Sequence, residues 1–290
     1  MWSTPKTISL KEPKLEITAY DSGNIHSDTQ APKPVLFFVH GLGLNSLFWK
    51  YAIEHFLSDY RCITIDLPGH GNSWEQRGNF SMTFYAQVVR ACVEEMKLTD
   101  ITLIGHSMGG QISVIASLQM PAVVSRLVLV SAAGIETFTA DEAQKIIQGA
   151  EFIYRAPADV NQILSLYTPH FSAHADRVRE MADDQITQNK ERFSAYSEMV
   201  IASIKGMLNE PIFNFLPHIH QPTLVLYGEK DQLIPNKWVH PLMSHQQIEQ
   251  AAKHKIMKSE VKLIPFCGHY LPFEQPGIFA DEVMQFCLQH

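Results

Sequence analysis

One serine in this 290-residue chain has the neighbours that nucleophilic catalysis requires. Ser107 stands in GHSMGG (105–110), with Gly105 two residues before it and Gly109 two residues after it. A serine hydroxyl is a weak nucleophile at neutral pH and needs a base beside it. A sharp turn from a strand into a helix exposes such a hydroxyl, and glycine at both positions relieves the crowding of that turn. The stretch therefore predicts a serine nucleophile, with the Met108 N–H at the helix start donating to a developing oxyanion.

A base and a group that orients it are expected further along the chain. His269 follows the last predicted strand, at the strand end where open parallel sheets place their sites. Asp231 follows the preceding predicted strand, and its carboxylate is suited to fix the tautomer of an imidazole. Glu229 is a nearby rival, and we prefer Asp231. The predicted triad is therefore Ser107, Asp231 and His269, in that chain order.

A second oxyanion donor is expected in the glycine-rich loop HGLG (40–43). Its glycines let the backbone come close to the nucleophile, and the Leu42 N–H is the candidate donor. We interpret His40 as a residue that orders this loop. Asp66 and His70, in the turn that follows the next strand, are interpreted in the same way.

The elements that must position these groups alternate along the chain. Strands are predicted over 14–20, 35–40, 60–66, 101–107, 126–132, 223–228 and 261–266. Helices are predicted over 46–57, 81–98 and 109–120, near 240–253, and from about 277 to 288. This alternation predicts an α/β fold with a mostly parallel central sheet and helices on both faces. Residues 135–215 hold helical segments and no clear strand, so we expect a helical cap there, inserted between core segments 1–134 and 216–290.

Composition and charge exclude several other classes of protein. The net charge is −7 and no basic run is present, which argues against nucleic acid as a partner. No stretch of 18 apolar residues occurs, so no membrane span is expected. The four cysteines form no CxxC pair and the N-terminus lacks an apolar signal region, which together favour a cytoplasmic protein with reduced thiols. No metal site is predicted, because no cysteine or carboxylate cluster accompanies the one close histidine pair.

Five motifs resemble those of the α/β-hydrolase superfamily. They are HGLG (40–43), DLPGHGNS (66–73), GHSMGG (105–110), GEKD (228–231) and GHYLPFEQP (268–276). Carboxylesterase-like members with a helical cap look most similar. The resemblance implies a serine hydrolase that cleaves esters of small to medium acyl or alcohol groups through an acyl-enzyme. It implies no cofactor, with a small-molecule ester and water as the partners, and it leaves the oligomeric state open.

Other activities of the superfamily stay open at this point. Epoxide hydrolases and haloalkane dehalogenases carry aspartate where this chain has a serine. C–C hydrolases of the meta-cleavage type are similar to the chain, but they usually have asparagine before the serine and tryptophan after the histidine, where this chain has His106 and Tyr270. Thioesterases, hydrolases of carrier-bound acyl esters and haloperoxidase-like relatives share the triad. A C–C hydrolase would need an arginine in the cap, and the candidates are Arg155, Arg177, Arg179 and Arg192.

Substrate selection is expected to come from the cap. Its candidate pocket residues are Phe152, Tyr167, Phe171, Tyr196 and Met199. Residues 135–215 also hold twelve acidic and seven basic side chains, a net charge of −5. Such a field slows the approach of polyanions, so we expect uncharged esters to be preferred over coenzyme A thioesters and carrier-bound acyl groups.

Overall fold

Eight strands form one sheet in the computed structural model, which describes residues 3–23, 32–155 and 190–290. The strands are β1 (Pro5–Leu10), β2 (Leu15–Asp21), β3 (Val35–Val39), β4 (Arg61–Ile65), β5 (Ile101–His106), β6 (Val124–Val130), β7 (Thr223–Gly228) and β8 (Ser259–Ile264). Their order in the sheet is β1-β2-β4-β3-β5-β6-β7-β8. β1 pairs antiparallel with β2, and β2 with β4, while all the other neighbours are parallel. The predicted fold class is confirmed.

Helices connect these strands and cover both faces of the sheet. They are α1 (Lys50–Ile53), α2 (Met82–Glu95), α3 (Met108–Gln119), α4 (Ala140–Arg155), α5 (Lys190–Asn209), α6 (His245–Lys255), α7 (Leu271–Glu274) and α8 (Pro276–Gln289). Ser81 caps the N-terminus of α2, because its side chain accepts a hydrogen bond from the Phe84 N–H. No helix among the described residues is long and apolar enough to cross a membrane.

Alternation along the buried strands divides the core into two clusters, one on each side of the sheet. Leu36 and Phe38 of β3 belong to the same cluster as Phe279 of α8. Phe37, between them, belongs to the other cluster together with Tyr85 of α2. Burial of each such aromatic ring contributes about 1.5–3 kcal/mol. Because both faces are covered, the ends of the parallel strands are left as the place for polar chemistry.

The clearest differences from the sequence prediction are at the N-terminal edge of the sheet and in the segment after β3. The N-terminal strand β1 was not predicted, since Pro5 and Lys6 begin it and only Ile8 and Leu10 are buried at this edge of the sheet. The helix predicted over 46–57 is instead a 3₁₀ turn (46–49) followed by the four residues of α1. Its apolar side chains pack against the sheet from successive turns, so their helix-like spacing does not require one continuous helix.

The described helices between β6 and β7 pack on one another and are tied to the core. α4 contacts α5, and Lys205 Nζ lies 2.8 Å from Glu151 Oε1 across that contact. Gln111 of α3 donates from Nε2 to the carbonyl oxygens of Met207 (3.0 Å) and Glu210 (2.7 Å). These bonds fix the end of α5 beside the helix that follows the Ser107 turn. The boundaries of a separate cap at 135–215 remain a prediction.

Candidate active site

Ser107 occupies a strained turn between β5 and α3. Its backbone has φ 53° and ψ −118°, a conformation that costs a non-glycine residue about 1–3 kcal/mol and persists only where the surroundings fix it. The surroundings do so here. The Ser107 N–H donates to the Val130 carbonyl (2.9 Å), and its own carbonyl accepts from Gly110 N (2.9 Å) and Ala133 N (3.0 Å). The turn leaves the Ser107 side chain half-buried at the wall of a cavity.

The glycines on either side of Ser107 are there because the backbone packs too closely for a side chain. A Cβ atom on Gly105 would lie 2.3 Å from the Gly109 carbonyl oxygen. A Cβ atom on Gly109 would lie 2.3 Å from the Val39 carbonyl oxygen, at the end of β3. Both distances are far inside van der Waals contact, so this strand-to-helix turn requires glycine two residues before and two residues after the serine.

His269 and Asp231 are hydrogen-bonded to one another at the ends of β8 and β7. His269 Nδ1 lies 2.8 Å from Asp231 Oδ2, and both side chains are buried. Asp231 Oδ1 accepts from the backbone N–H groups of Leu233 (2.8 Å) and Ile234 (3.0 Å). A carboxylate fixed in this way holds the proton on Nδ1 and leaves Nε2 as the basic nitrogen. Glu229, the rival acid, is exposed.

His106 supports the loop that carries His269, a role that the sequence analysis did not anticipate. Its Nε2 lies 2.9 Å from the His269 carbonyl oxygen, so this nitrogen carries the proton and donates it. The two imidazole rings are 4.9 Å apart. Complete burial, and to a smaller extent the neighbouring His269, hold the pKa of His106 well below its usual range. His106 is therefore a neutral positioning residue.

The glycine-rich loop after β3 lies directly beside the nucleophile. A Cβ atom on Gly41 would lie 3.2 Å from Ser107 Cβ, and Leu42 lines the same cavity as Ser107. Gly43, with φ 71°, turns the backbone through the left-handed region. Met108 is the first residue of α3, where a backbone N–H has no acceptor within the helix. These positions suit Leu42 and Met108 as oxyanion donors, and that role remains a prediction.

The residues that we interpreted as structural hold neighbouring loops. His40 Nε2 accepts from the Leu67 N–H (3.0 Å), and Asp66 Oδ1 accepts from the Ser46 N–H (2.8 Å). Burial lowers the pKa of His40 well below its usual range and that of His70 to about 4. The two histidines are therefore uncharged at neutral pH, and their lowered pKa values make them weaker bases than an ordinary imidazole.

A cavity of about 390 Å³ opens beside Ser107 and His269. Side chains from both described helices of the β6–β7 insert line it, among them Tyr154 of α4 and Tyr196 of α5. A Cβ atom on Gly43 would lie 2.5 Å from Tyr196 Oη, so this tyrosine reaches the predicted oxyanion loop. Glu136, which the sequence analysis did not single out, also lines the cavity.

The predicted pocket residues have different positions in the structure. Tyr196 lines the cavity. Phe152 does not, because it lies on the outer face of α4 and its side chain is 80% exposed. Met199 is fully buried in the core behind the cavity wall, one turn from Tyr196. Tyr167 and Phe171 lie outside the described residues.

Comparisons with known proteins find similar proteins over most of the chain. A family model described as "alpha/beta hydrolase fold" matches residues 34–276. The chain is 23% identical to human monoacylglycerol lipase ABHD6 over 267 residues, covering 88% of this chain and 75% of that protein. It is 24% identical over 300 residues to 2-hydroxy-6-oxononadienedioate/2-hydroxy-6-oxononatrienedioate hydrolase 1 of Pseudomonas putida, covering 98% and 96% respectively. Among solved structures, a thermophilic esterase from Thermogutta terrifontis superposes with a TM-score of 0.73 at 23% identity, covering 99% of both chains.

Proposed function

The chain belongs to the α/β-hydrolase fold family, and from that premise we propose that it is a serine esterase. The proposal rests on the arrangement of three side chains. Ser107 stands on a strained turn at a cavity that His269 also lines, and His269 Nδ1 is hydrogen-bonded to the buried Asp231. A nucleophile, a base and a group that orients the base meet the requirements of acyl transfer to water.

The proposed reaction proceeds through an acyl-enzyme. His269 Nε2 takes the hydroxyl proton of Ser107 as Oγ attacks the ester carbonyl, and the Leu42 and Met108 N–H groups stabilise the resulting oxyanion. His269 then gives the proton to the departing alcohol. Water, deprotonated by the same nitrogen, attacks the acyl-enzyme, and His269 returns that proton to Ser107 Oγ as the acid is released. No step requires a cofactor.

The cavity favours substrates of small to medium size. A volume of about 390 Å³ is at the lower end of the range for small-molecule sites. Most of its wall is apolar, and the lining side chains include Ile204 and Met207 of α5 and Ile146 of α4. We propose that the insert at 135–215 acts as a cap whose side chains set the length of the acyl or alcohol group.

C–C bond hydrolysis is the second candidate, favoured by the similarity to the Pseudomonas putida dienedioate hydrolase. A dioate substrate needs a cation in its pocket, and no arginine or lysine lines the cavity among the described residues. Arg155 is exposed beside Glu151, and Arg192 donates to the Gly71 carbonyl and covers the Trp74 ring. Two other cap arginines of the sequence analysis, Arg177 and Arg179, lie outside the described residues. The ester is therefore the preferred substrate class.

We also propose that the protein acts in the cytoplasm. Its four cysteines, Cys62, Cys92, Cys267 and Cys287, are all free, and the first three are buried. Unpaired thiols of this kind are usual in a reducing compartment.

Removal of the Ser107 hydroxyl tests the proposed function. Ser107→Ala is expected to lower the kcat for p-nitrophenyl ester hydrolysis by a factor of about 10³ or more, while the circular dichroism spectrum stays unchanged. Ser113→Ala is the matched control, because Ser113 lies in α3, which begins directly after Ser107, and its buried hydroxyl has no hydrogen-bond partner among the described residues. A folded Ser107→Ala enzyme that keeps more than about a tenth of the activity would refute the assignment.

A further inference from the structure

A carboxylate lies in the wall of the cavity beside the proposed catalytic groups. Glu136 follows β6, lines the cavity and is only 5% exposed. Its Oε2 accepts a hydrogen bond from the Asn236 N–H (2.9 Å), and its Oε1 lies 2.5 Å from His240 Nδ1. These bonds connect the segment after β6 with the loop that carries Asp231, so the carboxylate has a fixed position in the cavity wall.

Glu136 presents its carboxylate to the cavity, whereas its partner His240 does not line it. His240 is bonded to carboxylates through both ring nitrogens, since Nε2 lies 3.1 Å from Glu142 Oε1. Both ring nitrogens face carboxylate oxygens, which favours the imidazolium form, so Glu136 and His240 form an ion pair of which only the carboxylate lines the cavity. Burial raises the pKa of Glu136, and the His240 and Asn236 hydrogen bonds oppose that effect by stabilising the ionised form.

The rest of the described cavity wall supplies no positive charge to balance Glu136. The side chains that line it are apolar or uncharged, apart from His269 and Glu136 itself, and they include no lysine or arginine. Asp231, which is fully buried beneath the same site, adds a second negative charge nearby. On the described part of the wall, a substrate group that carries a negative charge would therefore lose its hydration without gaining a counter-ion, whereas a cation would gain one.

We propose that Glu136 determines the charge specificity of this cavity. It excludes esters whose pocket-bound part carries a carboxylate, and it selects esters whose pocket-bound part is uncharged or cationic. This inference rests on the proposed esterase function and adds to it the substrate class and the residue that sets it. Substrates are then selected by charge within the cavity, in addition to any effect of the net negative charge of residues 135–215.

The test uses three p-nitrophenyl esters with acyl chains of equal length, which end in a methyl, a carboxylate or a quaternary ammonium group. The wild type is expected to hydrolyse the carboxylate ester with a kcat/KM at least about tenfold below that of the neutral ester. Glu136→Gln keeps the shape and the acceptor for the Asn236 N–H but removes the charge. It is expected to raise the carboxylate-to-neutral ratio about tenfold and to lower the ammonium-to-neutral ratio by a similar factor.

Glu142→Gln is the matched control for this experiment. Glu142 binds the same His240 and carries the same charge, but it does not line the cavity. Its substitution is expected to leave both ratios within about twofold of the wild type, since its charge is closer to bulk water. If Glu136 only stabilised the loop that carries Asp231, its substitution would change kcat/KM for all three esters by the same factor, and the ratios would stay constant.

The outcomes separate this inference from the proposed function. If the neutral ester is not hydrolysed, the esterase function fails and the inference fails with it. If the neutral ester is hydrolysed but the wild type accepts the carboxylate ester equally well, the inference alone is overturned, whether or not Glu136→Gln folds. Unchanged ratios in a folded Glu136→Gln enzyme, or an equal change in Glu142→Gln, would also overturn it.

Discussion

The substitution Asp231→Asn has a consequence that the surrounding hydrogen bonds determine. Oδ1 accepts from the N–H groups of Leu233 (2.8 Å) and Ile234 (3.0 Å), while Oδ2 faces His269 Nδ1 (2.8 Å). The asparagine oxygen must occupy the position of Oδ1, because an NH₂ group there would face the N–H donors of Leu233 and Ile234. The NH₂ group then faces Nδ1, which has to become an acceptor, and the imidazole proton moves to Nε2.

This change of tautomer removes the base that we propose for Ser107. A protonated Nε2 cannot accept the hydroxyl proton, and an equivalent substitution in a triad typically lowers kcat by about 10³–10⁴. That factor corresponds to about 4–5.5 kcal/mol of transition-state stabilisation. The free energy of unfolding is expected to fall by only about 1 kcal/mol, because both backbone hydrogen bonds to Oδ1 are kept and one charged hydrogen bond becomes neutral.

The assay compares kcat for a p-nitrophenyl ester with the thermal midpoint from circular dichroism. Glu229→Gln is the control, because Glu229 lies two residues away in the same loop and is exposed. We expect its kcat to stay within about twofold of the wild type. The reasoning is refuted if folded Asp231→Asn keeps more than about a tenth of the activity, or if Glu229→Gln loses as much as Asp231→Asn does.

Three further predictions concern the glycine turn, the thiols and the histidine between two carboxylates. Gly105→Ala is expected to lower the free energy of unfolding by about 1–3 kcal/mol or more, because its Cβ would lie 2.3 Å from the Gly109 carbonyl oxygen. Gly277→Ala is the control, because the atom nearest to its Cβ would be 3.7 Å away and the substitution should be tolerated. Equal stability of the two variants in urea unfolding would contradict this prediction. Burial raises the pKa of all four thiols, and only Cys287 is half-buried while Cys62, Cys92 and Cys267 are buried. A disulfide reagent is therefore expected to modify at most Cys287 in the folded protein, and rapid titration of all four thiols would contradict this. Partial burial lowers the pKa of His240, but hydrogen bonds and charge interactions with Glu136 and Glu142 outweigh it, so the pKa is raised in the folded protein. The stability that protonated His240 contributes is therefore complete below about pH 6.5, its unfolded pKa, and is lost as the pH rises through the raised pKa of the folded state. His240→Gln should lower the Tm more at about pH 6 than at about pH 8.5, and equal losses at both pH values would count against this reasoning.

The features that could be predicted from the sequence are those with a local cause. The glycines around Ser107 are required by contacts of a single turn, such as that between a Gly105 Cβ and the Gly109 carbonyl, so their spacing is readable in the chain. The central strands are equally readable, because burial on both faces demands continuous apolar runs such as β3 and β5. The fold class follows from those runs and the helices between them.

Features that depend on contacts between residues far apart in the sequence were not predictable in the same way. Glu136 has its partner His240 more than a hundred residues away, and nothing near either residue indicates the pairing. Phe152 was expected in the pocket because it is aromatic, but periodicity does not say which face of α4 meets the cavity. β1 was missed because an edge strand buries few of its residues and therefore lacks a clear pattern.

Identification of the residue that becomes acylated tests the central claim most directly. An active-site-directed fluorophosphonate transfers its phosphonyl group to an activated serine, and mass spectrometry of the intact protein and its peptides locates the adduct. We predict one adduct per chain, on Ser107, and none on a folded Ser107→Ala protein under the same conditions. An adduct on another residue of the wild type, or equal labelling of Ser107→Ala, would contradict the account.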